Sequence, residues 1–310
     1  MEGKQNKMKD ITSKIPTLRV ANASAKVVVS SLDTIETIKN NKVPKGNVLE
    51  MSRAAGLLGV KKTPLILPDC HPIPIESTKI DYSIDELSIT ILVCVKTIYK
   101  TGVEVEAMHG ASIVALNIYD MLKPIDKGVY ISDIKLENKK GGKSQYNKDV
   151  DPSLNACVVV CSDSVSAGKK QDFAGKSIIS ELETHKVNVI DYVVIPDNEK
   201  DIKTHLQKAL DKKINLIIFT GGTGLSKTDI TPETLSPLIE RRIPGVEEAM
   251  RSYGQERTPY SMLSRSLAGL IGDSLVLSLP GSTGGAKETV QSIFPSILHV
   301  FHIIQGGKRH

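Results

Sequence analysis

An apolar run, Leu216 to Phe219, passes directly into Thr220-Gly221-Gly222-Thr223-Gly224, and Asp229 follows a few positions later. Glycines at the end of a strand let backbone N–H groups approach an anion closely, and a helix opening near Thr231-Pro232 adds partial positive charge. The loop has no phosphate-loop lysine, and such a cradle does not require one. A glycine cluster alone also serves any tight turn. Three further groups of small and acidic residues stand at strand ends in the same half of the chain: Ser162-Asp163-Ser164, Pro196-Asp197 and Pro280-Gly281-Ser282. Ligands of open parallel sheets bind at that edge, so the four segments together predict a site.

The first half carries a different set. Asp120 and Lys123 lie at i and i+3 near the end of a helical pattern, where they neighbour each other. On a surface such a pair is worth only about 0.3–0.5 kcal/mol. Glu104 and Glu106 open the same helix, where carboxylates suit the helix dipole. Glu106 and Asp120 are separated by about 21 Å along it, too far for one site unless a second subunit contributes. In Pro68-Asp69-Cys70-His71-Pro72 a histidine sits between prolines. Lysines stand beside glycine or proline in several loops, at Lys45, at Lys61-Lys62 and from Lys139 to Lys143, as a polyphosphate ligand would need.

The elements that must position these residues fall into two patterns. Glu86 to Lys96 alternates with Ile89, Ile91, Val93 and Val95 on one face, a half-buried strand, and Ser77 to Ser83 is its expected partner. A helix is predicted over Val103 to Leu122, ending before Pro124, then a strand over Gly128 to Leu136; this half reads as α+β. Polar, aperiodic Gln145 to Asn155 reads as the linker, giving domains 1–148 and 149–310. Beyond it, strands at Ala156–Cys161, Val187–Ile195, Ile214–Thr220 and Leu275–Leu279 alternate with helices near Asp172–His185 and Glu199–Leu210. A closing helix is expected over Ala286 to Ile304. That alternation predicts a parallel, doubly wound α/β sheet.

Composition narrows the class. The 310 residues are 40% hydrophobic and 24% charged, with a net charge of +5. No Trp and four Phe argue against stacking platforms for single-stranded nucleic acid. No apolar run reaches the roughly 18 residues of a membrane span, and Met1 to Asp10 is lysine-rich with no apolar stretch behind it, so a cytoplasmic location is expected. Cys94, Cys157 and Cys161 sit in apolar runs and read as core residues. The adjacent pair Cys70-His71 is a poor zinc set, since no CxxC occurs.

Over nearly all of the first domain the residues resemble the MoaC family of cyclic pyranopterin monophosphate synthases. The resemblance rests on Asp10-Ile11 to Arg19, Lys45-Gly46, Cys70-His71-Pro72, Thr101 to Ala107, Tyr119-Asp120-Met121 with Lys123, and Gly141 to Ser144. The second domain is similar to the MoaB/MogA group of molybdopterin-binding and adenylylating proteins through Ser162-Asp163, Ile195-Pro196-Asp197, Thr220 to Gly224, Asp229 to Pro232, Leu263-Ser264-Arg265 and Leu279-Pro280-Gly281. The loop and Asp229-Ile230-Thr231-Pro232 also resemble CinA-type domains.

The first resemblance implies a ferredoxin-like α+β fold, a hexamer or trimer of dimers, and a site between subunits. It also implies conversion of a cyclic dihydro-GTP intermediate to cyclic pyranopterin monophosphate and pyrophosphate. Lys45, Asp120 and Lys123 match the catalytic positions; Arg19, Lys61, Cys70, His71, Glu104, Val105, Glu106 and Lys139 match positions around the substrate. The second resemblance implies a Rossmann-like, MogA-type fold that binds molybdopterin and joins AMP from ATP to it, with Mg²⁺ but no tightly bound cofactor. Asp197 and Asp229 match its catalytic, cation-holding aspartates, while Asp163, Gly221, Gly222, Thr223, Gly224, Ser264, Pro280 and Gly281 match ligand-binding positions. Ser164 stands where an arginine is common, and Ala174-Gly175 replaces Ser-Gly. Two readings therefore stay open for the second domain, an adenylyltransferase and a non-catalytic pterin-binding or oligomerisation module.

Overall fold

The structure, a computed structural model, describes residues 8–142, 145 and 153–306. The chain divides into two compact units, Met1–Gln145 and Tyr146–His310. The boundary expected between 148 and 149, and with it Lys143 and Ser144, lies outside the described residues.

The first unit runs β1 (Thr17–Val28), α1 (Leu32–Lys39), α2 (Val48–Ile66), β2 (Ser77–Ile84), β3 (Ser88–Tyr99), α3 (Glu104–Leu122) and β4 (Tyr130–Lys140). Its sheet has the order β2-β3-β1-β4, and every neighbouring pair is antiparallel. The alternation in β3 does what its pattern requires: Ile89, Ile91, Val93 and Val95 are each at most 1% exposed. Cys94 points to the other face and is only half-buried, so its reading as a core residue is corrected. In the central strand β1 the buried positions are Ala21, Ala23, Ala25 and Val27, small enough for α3 to lie close across them.

α2 and α3 pack against each other through glycine. A Cβ on Gly110 would run into Val60 Cγ2, and one on Gly56 into Val114 Cγ2. Ser52 Oγ donates to Asn117 Oδ1 at 3.0 Å, and Thr63 Oγ1 lies 3.0 Å from His109 Nδ1, so the two helices run in opposite directions. This frame fixes Glu104 and Glu106 at one end of α3 and Asp120 at the other.

The second unit comprises β5 (Asn155–Cys161), α4 (Asp163–Ser166), α5 (Ala174–Thr184), β6 (Asn188–Ile195), α6 (Glu199–Asp211), β7 (Leu216–Thr220), α7 (Thr231–Leu235), β8 (Arg241–Arg242), α8 (Pro244–Gln255), β9 (Leu267–Ile271), β10 (Ser274–Leu279), α9 (Thr283–Ile293) and α10 (His299–Ile304). The sheet order is β6-β5-β7-β10-β9-β8. β6, β5, β7 and β10 are parallel, but β9 runs antiparallel to both of its neighbours, β10 and β8, which corrects the expectation of a wholly parallel sheet. The reason is local: only Gly272 and Asp273 join β9 to β10, and Gly272 adopts φ +56°, so the chain turns straight back as a hairpin.

Alternate residues of each central strand face opposite layers. Val158, Ile218 and Leu277 pack on one side with Ile178 and Leu182 of α5 and Val290 of α9. Val159, Phe219 and Val276 pack on the other with Ile202 and Leu206 of α6. Helices therefore cover both faces, as the strand–helix alternation predicts. The expected closing helix is interrupted: α9 ends at Ile293, Phe294-Pro295 intervenes, and α10 begins at His299. Proline lacks the N–H that would continue the helix. Among the described residues no helix is long and apolar enough to cross a membrane, and all four cysteines are free thiols.

Candidate functional sites

At the C-terminal end of α3, Asp120 receives two ammonium groups. Lys45 Nζ donates to Asp120 Oδ2 at 2.7 Å and to the Asp120 carbonyl at 2.8 Å, while Lys123 Nζ lies 2.7 Å from Asp120 Oδ1. Lys45 reaches across from the turn before α2, where Gly46 takes φ +97°. Hydrogen bonds from Lys123 and then Lys45 hold the Asp120 carboxyl down at about 2. The same contact pushes the Lys123 ammonium above its ordinary range. Lys123 is thus held in its ammonium form in this geometry.

A second cluster gathers at the opposite end of α3. Lys139 Nζ on β4 donates to Glu104 Oε1 at 2.8 Å. Burial is the largest single influence on the Glu104 carboxyl and raises it, but the Lys139 hydrogen bond, a backbone hydrogen bond and the charges of Lys139 and Arg19 together outweigh it, and the net shift is downward. Glu106 is 3% exposed, and burial, with Glu104 adding to it, pushes its carboxyl up. Cys70 is raised by burial and then by Glu106 and Asp69. Arg19 Nε donates to the Tyr99 carbonyl at 3.2 Å, and its guanidinium fills the space a side chain at Gly142 would need. His71 Nε2 lies 2.8 Å from the Lys9 carbonyl. Lys14, which the sequence reading passed over, belongs here too: burial, Lys9 and Arg19 lower its ammonium, and Glu104 opposes them.

The structure thus brings Arg19, Cys70, His71, Glu104, Glu106 and Lys139 together, and separately Lys45, Asp120 and Lys123. The clusters stand about 24 Å apart along α3. Lys61 is exposed on α2, with no ion pair or side-chain hydrogen bond among the described residues, and Val105 is exposed beside the two glutamates.

In the second unit the strand ends converge as predicted. A cavity of about 470 Å³ is lined by Asp163, Asp197, Gly221, Gly222, Asp229 and Gly281, among others. Gly221 takes φ +102° and Gly222 φ +58°; a Cβ on Gly222 would collide with the Asp197 carboxylate and Thr231 Oγ1. Only glycine lets the backbone pass this close to the acid. Burial pushes the Asp197 carboxyl up to about 6, Thr231 opposes that shift, and the charges of Asp229, Asp163 and Glu233 add to it. Asp163 Oδ1 accepts from Asp197 N at 3.1 Å, and Asp229 Oδ2 accepts from Ser226 N at 2.9 Å.

Four predicted ligand positions fall outside this lining. Thr223 is buried at 5% exposure, and Gly224 packs against the Asp229 carboxylate. The Pro280 carbonyl accepts from Thr220 Oγ1 at 2.8 Å, a contact within the scaffold. Ser264 lines a different depression, with Glu233, Arg242 and Arg251, and its Oγ lies 3.0 Å from Ser266 Oγ. Its neighbour Arg265 bridges two loops. Arg265 donates to the carbonyls of Gly224 at 2.8 Å and Asp229 at 2.7 Å and pairs with Glu233, which ties the glycine loop to the aspartate loop. The sequence reading missed Lys170 and Phe173 on the cavity lining. Neither is a strand-end residue, so the edge argument does not reach them.

Asp197 and Asp229 are hard oxygen donors suited to Mg²⁺, which takes one or two carboxylates and completes its shell with water and phosphate oxygens. Among the described residues no group of three His, Cys, Asp or Glu forms a cation cage, so these two would not hold the ion alone.

An antiparallel α+β unit carrying a Lys–Asp–Lys triplet, joined to a doubly wound unit with an acidic, glycine-lined cavity at its strand ends, defines a protein of two separate ligand-binding domains. Comparison with known proteins narrows this. The MoaC family model matches residues 8–142, and the model described as "Probable molybdopterin binding domain" matches residues 157–299. The chain is 37% identical over 300 residues to the molybdenum cofactor biosynthesis bifunctional protein of Chlorobaculum tepidum, covering 97% of this chain and 95% of that one. It is 43% identical over 138 residues to the cyclic pyranopterin monophosphate synthase of Streptomyces avermitilis, covering 44% of this chain and 81% of that one. Among solved structures it resembles the molybdopterin biosynthesis enzyme MoaB of Thermus thermophilus, at 35% identity and a TM-score of 0.47, over 49% of this chain and 97% of that one. The chain belongs to the family of molybdenum cofactor biosynthesis bifunctional proteins, a MoaC domain followed by a MoaB/MogA-type domain.

Proposed function

We propose that the first unit converts the cyclic dihydro-GTP intermediate into cyclic pyranopterin monophosphate and pyrophosphate. The observation that carries this reading is the Lys45–Asp120–Lys123 triplet, which holds a carboxylate between two ammonium groups at hydrogen-bond distance. In this scheme Lys45 and Lys123 face the substrate as ammonium groups, and Asp120 orients both and stabilises the charge they carry. Arg19 and Lys139, with His71, take the triphosphate, as guanidinium and ammonium groups do. The gap of about 24 Å along α3 supports a site shared between two copies, and hence the homo-oligomer. The strand order β2-β3-β1-β4 with helices between the strands supports a ferredoxin-like description of the fold. The test is turnover of purified protein on the cyclic dihydro-GTP intermediate: Lys45→Ala and Asp120→Asn should each lower kcat by at least about 10³ while circular dichroism stays unchanged, and wild-type turnover in either would remove the assignment.

The second unit, in this reading, binds molybdopterin and transfers AMP to it from ATP. Support comes from the cavity at the strand ends and its two aspartates. Asp197 and Asp229 would hold Mg²⁺, which neutralises charge on phosphate oxygens when bound. The glycine loop presents backbone N–H groups to the same phosphates, and Thr231 fixes the Asp197 carboxylate through a 3.3 Å hydrogen bond. Incubation with molybdopterin, ATP and Mg²⁺ should give adenylylated molybdopterin, and Asp229→Ala should abolish it. Molybdopterin binding without product in the wild type would instead establish a carrier or assembly module.

A further inference from the structure

The rim of the second unit's cavity contains two residues that the architecture does not explain. All four phenylalanines of the chain are described: Phe219, Phe294 and Phe301 are at most 5% exposed, whereas Phe173 is 60% exposed. Phe173 occupies the N-cap position of α5, where Ser, Thr, Asp or Asn is favoured and a phenyl ring contributes nothing to the helix. Its predecessor Asp172 performs the capping, accepting from Gly175 N at 2.9 Å and from Tyr192 Oη at 2.7 Å. A local rule is broken at an exposed position that lines a cavity, as happens where a residue serves a ligand.

Lys170 stands three residues earlier on the same rim. The chain reverses at Gly168, with φ +69°, and the Ser164 carbonyl then accepts from Lys169 N at 2.9 Å and Lys170 N at 3.1 Å. That turn brings Lys170 to the cavity, where it is the one basic side chain among the described lining residues. No ion pair or side-chain hydrogen bond engages its ammonium among the described residues, although Asp163, Asp197 and Asp229 line the same cavity. These three carboxylates, with Asp172 as a fourth on the same lining, repel an anion, so a phosphorylated ligand needs a countercharge that is not already paired.

We propose that Lys170 and Phe173 form a rim clamp, in which Lys170 binds a phosphoryl group of the ligand and Phe173 stacks on the planar heterocycle attached to it. The proposal rests on reading this unit as the molybdopterin and ATP domain, and it adds the two residues that select a phosphorylated ring over a bare anion. Both are ligand-binding residues, and neither is needed for the fold: one is an exposed lysine, the other an exposed ring making no capping bond.

The test is calorimetric titration of the full-length protein, with Mg²⁺, against three probes: ATP, molybdopterin and inorganic pyrophosphate. Lys170→Met should weaken all three about tenfold, and Lys170→Arg should retain most of the affinity. Phe173→Ala should leave pyrophosphate unchanged and weaken at least one of the ring-bearing ligands about tenfold, with Phe173→Tyr restoring it. Wild-type affinity in Lys170→Met for every probe, or in Phe173→Ala for both ATP and molybdopterin, overturns the clamp while leaving the domain's assignment intact. A wild-type protein that binds none of the probes overturns the assignment, and the clamp with it.

Discussion

The Lys45–Asp120–Lys123 triplet combines one legible feature with one hidden feature. The i, i+3 spacing of Asp120 and Lys123 is visible in the sequence, but Lys45 lies 75 residues away, and only the packing of α2 on α3 delivers it. The electrostatics give the sign of a pH effect. The folded Asp120 carboxyl sits at about 2, below the roughly 3.9 of an unfolded aspartate. Its contribution to stability is therefore fully present above that unfolded value and is lost as pH falls through about 2. Replacing Lys123 with Met should move the Asp120 titration upward in a carbon-detected NMR experiment, and replacing Lys45 with Met as well should bring it to about 3.9. A titration that stays at the wild-type position in the double variant would show that some other group holds the carboxylate. In the second unit Gly222 is as constrained: Gly222→Ala adds a Cβ against Asp197 at positive φ. Affinity for ATP should fall at least about tenfold while β7 and its neighbours stay folded, since the clash is confined to the loop.

At the scale of elements, period and punctuation decided what could be read. β3 was legible because its apolar residues alternate strictly, and the parallel strands of the second unit because each is a short apolar run between helical patterns. β1 is the central strand of the first sheet, yet Ala21, Ala23 and Ala25 carry little hydrophobic signal; their smallness records the closeness of α3, a tertiary fact. β9 was missed for a similar reason, since Gly269 packs against Ile239 and β8, and a glycine weakens a strand pattern. The helix pair α2–α3 allows a quantitative check. Gly110→Val should destabilise the first unit by about 1–3 kcal/mol through overpacking against Val60, seen as a lower urea midpoint at unchanged slope. Adding Val60→Ala should recover part of the loss, because the added methyls then occupy vacated space. Additive destabilisation in the double variant would mean that the helices are not in contact at this point.

For the whole molecule, the relevant fact is that the cores are separate. The first unit buries its own cluster around β1, β3 and α3, and the second buries two layers on the faces of its own sheet. Domain order and the coarse fold of each unit were therefore legible half by half, each with its own period, while the gathering of the first unit's polar residues into two clusters at opposite ends of α3 was not, because it follows from packing between residues far apart in the chain. Separate cores predict separate responses to ligand. Molybdopterin with ATP and Mg²⁺, at about 100 times the dissociation constant, should stabilise whatever binds it by about 2.7 kcal/mol. In calorimetry of the full chain that stabilisation should shift one unfolding transition and leave the other in place, and Asp229→Ala should reduce the shift without moving the unliganded transitions. Asp120→Asn should leave the shift unchanged. A ligand-induced shift of both transitions by the same amount would show instead that the two units unfold as one cooperative body, and the activities could then not be treated as independent.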